Sequence, residues 1–128
     1  MKYYFGKTLS GSFDEAVVRT TEGLKAEGFG IITEIDVKKT MQEKIGVAFR
    51  NYRILGACNP KLAYEALELD DKIGTMLPCN VVVQERDDHQ IEVAAIDPVA
   101  SMQAVDNPRL IEAAKQVGDR LKRVIDGL

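Results

Sequence analysis

The sequence predicts an α+β domain in which strands and helices follow the order β-α-β-α-β-α-β-β-α. Three observations carry this. Short β-branched and aromatic runs recur along the chain. They are separated by segments with helix-start signatures, Ser12 with Glu15, Asn59-Pro60 and Asn107-Pro108. The run from Cys79 to Ile96 folds back on itself around Asp87-Asp88-His89, as a hairpin does.

The first strand covers Lys2 to Thr8, where aromatic residues are dense, and Ser10-Gly11 turns the chain. Ser12 and Glu15 then form a capping box: the hydroxyl accepts from the amide of residue 15 and the carboxylate can reach back. Asp14 and Glu15 also meet the positive end of the helix dipole. Phe13, Ala16, Val17, Thr20 and Leu24 share one face, and Gly28 ends this helix in a left-handed conformation. Phe29 to Val37 is β-branched, with Ile31, Thr33 and Ile35 alternating, and reads as the second strand. A short helix from Lys38 to Ile45 follows, with Met41 and Ile45 as its apolar positions and Gly46 as its stop.

Asn51 to Cys58 is the third strand, with Tyr52, Ile54, Gly56 and Cys58 on one face and Leu55 and Ala57 on the other. At Asn59-Pro60 a capping side chain precedes a proline whose missing amide costs nothing at the first helical position. The helix it opens runs to about Asp70, with an apolar face of Leu62, Ala63, Ala66, Leu67 and Leu69. After a loop from Lys72 to Pro78, the strand Cys79 to Arg86 has Val81-Val82-Val83 at its centre. It is apolar on both sides, as in a strand covered twice or lying in a dimer interface. Gln90 to Ile96 returns antiparallel to it, and Asp97-Pro98 ends the pairing. The last helix opens at Asn107-Pro108 and runs nearly to Leu128. Leu110, Ala114, Val117, Leu121, Val124 and Leu128 form its stripe, widened by Ile111 and Ile125. The stripe is too short for a coiled coil and suits a helix covering a sheet.

The chain of 128 residues has the size of a single domain, and we take residues 1–128 as one. Hydrophobic residues at 45% and charged residues at 29% place it among globular proteins. A net charge of −3, with the 17 basic residues scattered among 20 acidic ones, leaves no excess of cations to neutralise a phosphate backbone, so we expect no nucleic-acid partner. The sequence contains no long apolar run, and its start lacks the sections of a signal peptide, so we expect no membrane partner and a cytoplasmic location.

Three stretches carry a family resemblance: Ile54-Leu55-Gly56-Ala57-Cys58-Asn59-Pro60, Leu77-Pro78-Cys79-Asn80-Val81-Val82-Val83 and Ala95-Ile96-Asp97-Pro98. With Glu43-Lys44-Ile45-Gly46 before them, they resemble the prokaryotic family known as domain of unknown function 302, and the likeness spans nearly the whole chain. It implies a two-layer α+β fold, with helices on a mostly antiparallel sheet of about five strands, and a homodimer. No activity follows from it.

The candidate site residues are Cys58, Asn59, Pro60, Cys79, Asn80 and Asp97, a set for a small-molecule ligand. Cys58 and Cys79 are the reactive types. They fit neither a disulfide scaffold nor a close-spaced metal motif. If the third and fourth strands are antiparallel neighbours the two thiols approach each other; if parallel, a strand length separates them. Cys58 also precedes a helix amino end, where a thiolate is favoured. The bland alternative is that both are small buried hydrophobes. Asn59 and Asp97 have sufficient structural roles as cap and turn. Asn80 is poor strand material and needs hydrogen-bond partners if buried. His89 belongs to a polar turn. A mixed metal site of Cys58, Cys79, His89 and Asp97 has no support from spacing, and no glycine pattern binds a nucleotide. The sequence names no cofactor. Three functions stay open: a binding domain, a thiol-dependent redox or enzymatic protein using Cys58 and Cys79, and a purely structural or interaction domain.

Overall fold

A computed structural model describes residues 2–128. They form β1 (Tyr4–Leu9), α1 (Phe13–Ala26), β2 (Gly30–Asp36), α2 (Val37–Ile45), β3 (Tyr52–Cys58), α3 (Pro60–Leu69), β4 (Cys79–Glu85), β5 (Ile91–Ile96), α4 (Pro98–Ser101) and α5 (Pro108–Asp126). A single 3-10 turn, Ile73–Met76, lies between α3 and β4. The strands make one sheet in the order β1-β5-β4-β3-β2, and each neighbouring pair is antiparallel. This is the α+β two-layer architecture with the element order expected from the sequence, apart from the added short helix α4.

Alternation along the central strands sets the layers. Cys79, Val81 and Val83 of β4 and Ile91, Val93 and Ala95 of β5 are buried, whereas the residues between them are not. The buried set faces α1 and α5, whose Phe13, Leu24, Leu121 and Ile125 complete the main core with Leu55 and Leu9. Removing these side chains from water is the chief stabilising term, about 1.5–3 kcal/mol for each large one. Val82 stands half-buried on the other face with Asn80 exposed beside it, so the apolar run of β4 is fully buried on one side only. No helix among the described residues is long and apolar enough to cross a membrane.

The ends of the helices follow the local chemistry. Ser12 Oγ accepts from the amide of Glu15 at 3.0 Å. At the other end of α1, the amide of Phe29 bonds back to the Leu24 carbonyl, a wrap that puts Gly28 at a φ of 88°. Asp36 caps α2 by accepting from the amide of Lys39, and Gly46 closes it in the left-handed region.

Several sequence expectations need correction. The alternation of Ile31, Thr33 and Ile35 breaks at a β-bulge: Ile31 pairs with Ala57 and Thr33 with Gly56, which leaves Ile32 as the extra residue. Ile31 therefore packs against the core, while Thr33 turns to the open face. Helix α2 buries none of its residues, and Ile45 is largely exposed, because its caps and its short chain connections hold it without an apolar seat. On α5 the half-buried Val117 packs against the core as the stripe predicts, and Gly118 is buried beside it, since the missing side chain lets Pro98 of α4 approach. Asp97-Pro98 does more than end β5: it caps and opens α4.

Candidate functional site

Strand β3 ends where β4 begins, and the antiparallel register places Ala57 opposite Cys79. Cys58 is thus one residue from the partner of Cys79, which resolves the topological alternative in favour of proximity. Both cysteines are free. Immediately after Cys58 the chain turns into α3, with Asn59 Oδ1 accepting from the Leu62 amide at 3.1 Å and Pro60 in the first turn. The Asn59 side-chain nitrogen lies 3.0 Å from where a Cβ on Gly28 would stand. Arg120 donates to the Glu27 carbonyl beside it, at 3.1 Å, tying α5 to the end of α1. The β3–α3 turn is therefore fixed from two sides.

At this corner the molecule has two apolar clusters rather than one. The main core reaches it with Phe29, Ala57 and Cys79. A second cluster, built on Ala66, Ile73, Met102, Leu110 and Ala114, joins α3, the 3-10 turn, α4 and α5. Between them lies a cavity of about 310 Å³. It opens because the facing positions are small: Ala57 from β3, Ala63 and Ala66 from α3, and Ala113 and Ala114 from α5 all line it. Gly74 and Pro78 close the side nearest the 3-10 turn, and the Leu77–Pro78 peptide bond is cis. The apolar face read on α3 thus looks mostly into this space, which is why Ala66 is its only fully buried residue.

Of the sequence-derived site residues, Cys58, Asn59 and Cys79 line the cavity. Pro60 lies behind them in the first turn of α3. Asp97 stands outside: its Oδ1 accepts from the Val99 amide at 3.0 Å, and its own amide bonds the Tyr3 carbonyl. Its neighbour Pro98, however, is part of the wall. Asn80 is not brought to the site, because a residue next to Cys79 along a strand points to the opposite face. It joins Tyr4, Tyr52 and Val82 around a hollow on the open side of the sheet. His89 takes its place in the hairpin turn at a φ of 61°, remote from the sulfurs in register. Among the described residues no group of three or more His, Cys, Asp or Glu side chains is disposed to hold a metal ion.

Burial raises the Cys79 thiol to about 11, and the nearby charge of a Cys58 thiolate adds to that rise. Cys79 is accordingly a neutral thiol near neutral pH, suited to packing and a weak hydrogen bond rather than to nucleophilic attack. Cys58 is half-buried and is the more accessible of the two.

Sequence reasoning missed Ile32, Met102 and Leu110 as cavity residues, and the walls supplied by α4. A signal for α4 was present, since Asp97-Pro98 repeats the polar-cap and proline device of Asn59-Pro60 and Asn107-Pro108. Ile32 and Met102 had none, because a bulge and a tertiary contact place them.

The family model described as domain of unknown function DUF302 matches residues 5–128. The crystal structure of an uncharacterized conserved protein DUF302 from Bacillus stearothermophilus is similar to this chain, with a TM-score of 0.90, 29% sequence identity and 98% of each chain covered. None of the curated proteins matches the chain.

Proposed function

The chain belongs to the DUF302 family, and from that premise we propose that it is a small-molecule-binding domain, working in the cytoplasm as a homodimer, with its ligand beside Cys58, Asn59 and Cys79. The observation that carries the reading is the cavity between the two apolar clusters. A concave, mainly apolar space of this size with a few polar groups at one end is the usual form of a ligand site. Native mass spectrometry of freshly purified protein tests it. A retained molecule adds mass to the wild-type chain, and the added mass is lost when Ala113→Leu fills the space; occupancy unchanged by that substitution places the molecule elsewhere.

The dimer reading rests on the face of the sheet turned away from α1 and α5, where Tyr4, Tyr52, Ile54, Val82 and Ala94 are half-buried apolar positions. A second copy of the same face is a self-complementary apolar partner for it. Light scattering should give twice the chain mass for the wild type and a single mass for Val82→Asp. A monomeric wild type removes this part of the reading.

A thiol-dependent function keeps one favourable observation, the placing of both sulfur-bearing residues on one cavity wall. It requires an external disulfide to be attacked by Cys58 in the folded protein, forming a mixed disulfide and releasing one thiol, and Cys79 then to displace the second thiol as the Cys58–Cys79 disulfide forms. Mass spectrometry after mild oxidation separates the cases, since an intramolecular disulfide removes two hydrogens and a simple binding domain gives none.

A further inference from the structure

We infer that the cavity takes an uncharged molecule that is mostly hydrocarbon, with at most one polar group, held at the Cys58–Asn59 end. The inference rests on the binding reading given above and narrows it to a ligand class. Among the described residues no Asp, Glu, Lys, Arg or His lines the space. An ionised carboxylate, phosphate or ammonium entering it would lose its hydration with no countercharge to replace it. Asn59 supplies the single side-chain amide, and its oxygen is already occupied by the cap on α3. The polar side chains on the lining are therefore Asn59 and the thiols of Cys58 and Cys79.

The rim supports the same class. The bulge in β2 turns Ile32 outward to the edge of the cavity, where it is 61% exposed, and Leu67 of α3 is 42% exposed on the same cavity. Two large apolar side chains held in water at an opening are covered when an apolar molecule enters past them, and they offer nothing to a polar one. Volume bounds the size. An engineered apolar cavity of ~150 Å³ takes benzene; this one, at about 310 Å³, has space for a fused bicycle or an alkyl chain of about ten to twelve carbons.

Four probes decide it: 1-decanol and naphthalene as neutral molecules, decanoate and decylammonium as charged ones of matching length. Each is titrated into the wild-type protein with methyl NMR as the readout, because Met102, Leu62 and Leu67 report occupancy of the cavity directly. The expected result is that the neutral probes shift these methyls, and that the charged probes bind about tenfold or more weakly. Ala63→Leu and Ala113→Leu are expected to weaken the neutral probes by a similar factor. Ile32→Lys changes an exposed position and leaves the fold alone; it should weaken 1-decanol and favour decanoate. Decanoate or decylammonium binding the wild type as tightly as decanol overturns the ligand class and leaves the binding reading standing. Silence of the cavity methyls to all four probes overturns the class and the binding reading together.

Discussion

Thr33 stands directly across the β2–β3 ladder from Gly56, and its side chain fills the volume that a Cβ at position 56 would need. The Pro78 ring closes the same space, with Cγ 2.7 Å from that point. Position 56 is therefore glycine for a packing reason, and its backbone torsions are those of an ordinary strand. Gly56→Ala should destabilise the protein by about 1–3 kcal/mol, the usual range for an overpacked site. The denaturation midpoint should fall with little change in the slope against urea. Adding Thr33→Ala should recover part of the loss and leave the part due to Pro78. A Gly56→Ala protein as stable as the wild type would show that the close approach is not real.

Cys79 links stability to pH. Its thiol ionises at about 11 in the folded chain, against 9.0 for the unperturbed group, chiefly because burial disfavours the thiolate. Between these values the folded protein keeps a proton that the unfolded chain has released. The contribution is thus fully present below pH 9 and is lost as pH rises towards 11. At ~1.4 kcal/mol per pH unit the loss reaches about 2–3 kcal/mol. Lysines and tyrosines titrate in the same region, so the measurement is the difference between wild type and Cys79→Val. That difference should decline across the window and stay flat below it. Alkylation at pH 8 should accordingly modify Cys58 in the native protein and reach Cys79 only in denaturant.

Local chemistry made the element order readable. Capping side chains, prolines at first helical positions and left-handed glycines act over a few residues, so Ser12, Asn59, Asn107, Gly28 and Gly46 announce their roles directly. The site was legible only in part. Cys58, Asn59 and Cys79 meet because two strand ends do, which a sequence offers as one of two topologies. Asn80 stands with Cys79 in the ligand set read from the sequence, and the pleat assigns it to the other face. The cavity itself was hidden for another reason. Leu62, Ala63 and Ala66 show the same periodicity whether they face a filled core or an empty space. Periodicity reports which side of a helix avoids water, and volume depends on how far the opposing element stands off.

Lys7 ties the first strand to the end of α5. Its Nζ donates to the backbone oxygens of Asp126, at 3.1 Å, and Leu128. These acceptors lie at the negative end of the helix dipole and have no partner further along the helix. Lys7→Met keeps the length of the stem and removes the donors. The expected cost is about 1 kcal/mol, felt as faster amide exchange in the last turn of α5 and not across the sheet. Uniformly faster exchange would mean that Lys7 supports the core as a whole.

Thr20 is a polar residue on the inner face of α1, fully buried, and among the described residues no group is within hydrogen-bond reach of its hydroxyl. The contrast with its neighbours is informative. Thr21 Oγ1 donates to the Val17 carbonyl at 2.8 Å, and Thr40 does the same to Asp36 at 2.9 Å, the ordinary way for a helical threonine to satisfy itself. The packing that fills the core with a β-branched side chain at position 20 withholds this bond. Valine has the same shape and no hydroxyl to desolvate, so Thr20→Val should stabilise the fold by about 1 kcal/mol, raising Tm by about 3–5 °C. Thr20→Ser retains the unpaired hydroxyl and removes the packed methyl, so it should move Tm the other way. If valine lowers Tm while serine leaves it unchanged, the hydroxyl has a partner in solution and position 20 is polar for a reason.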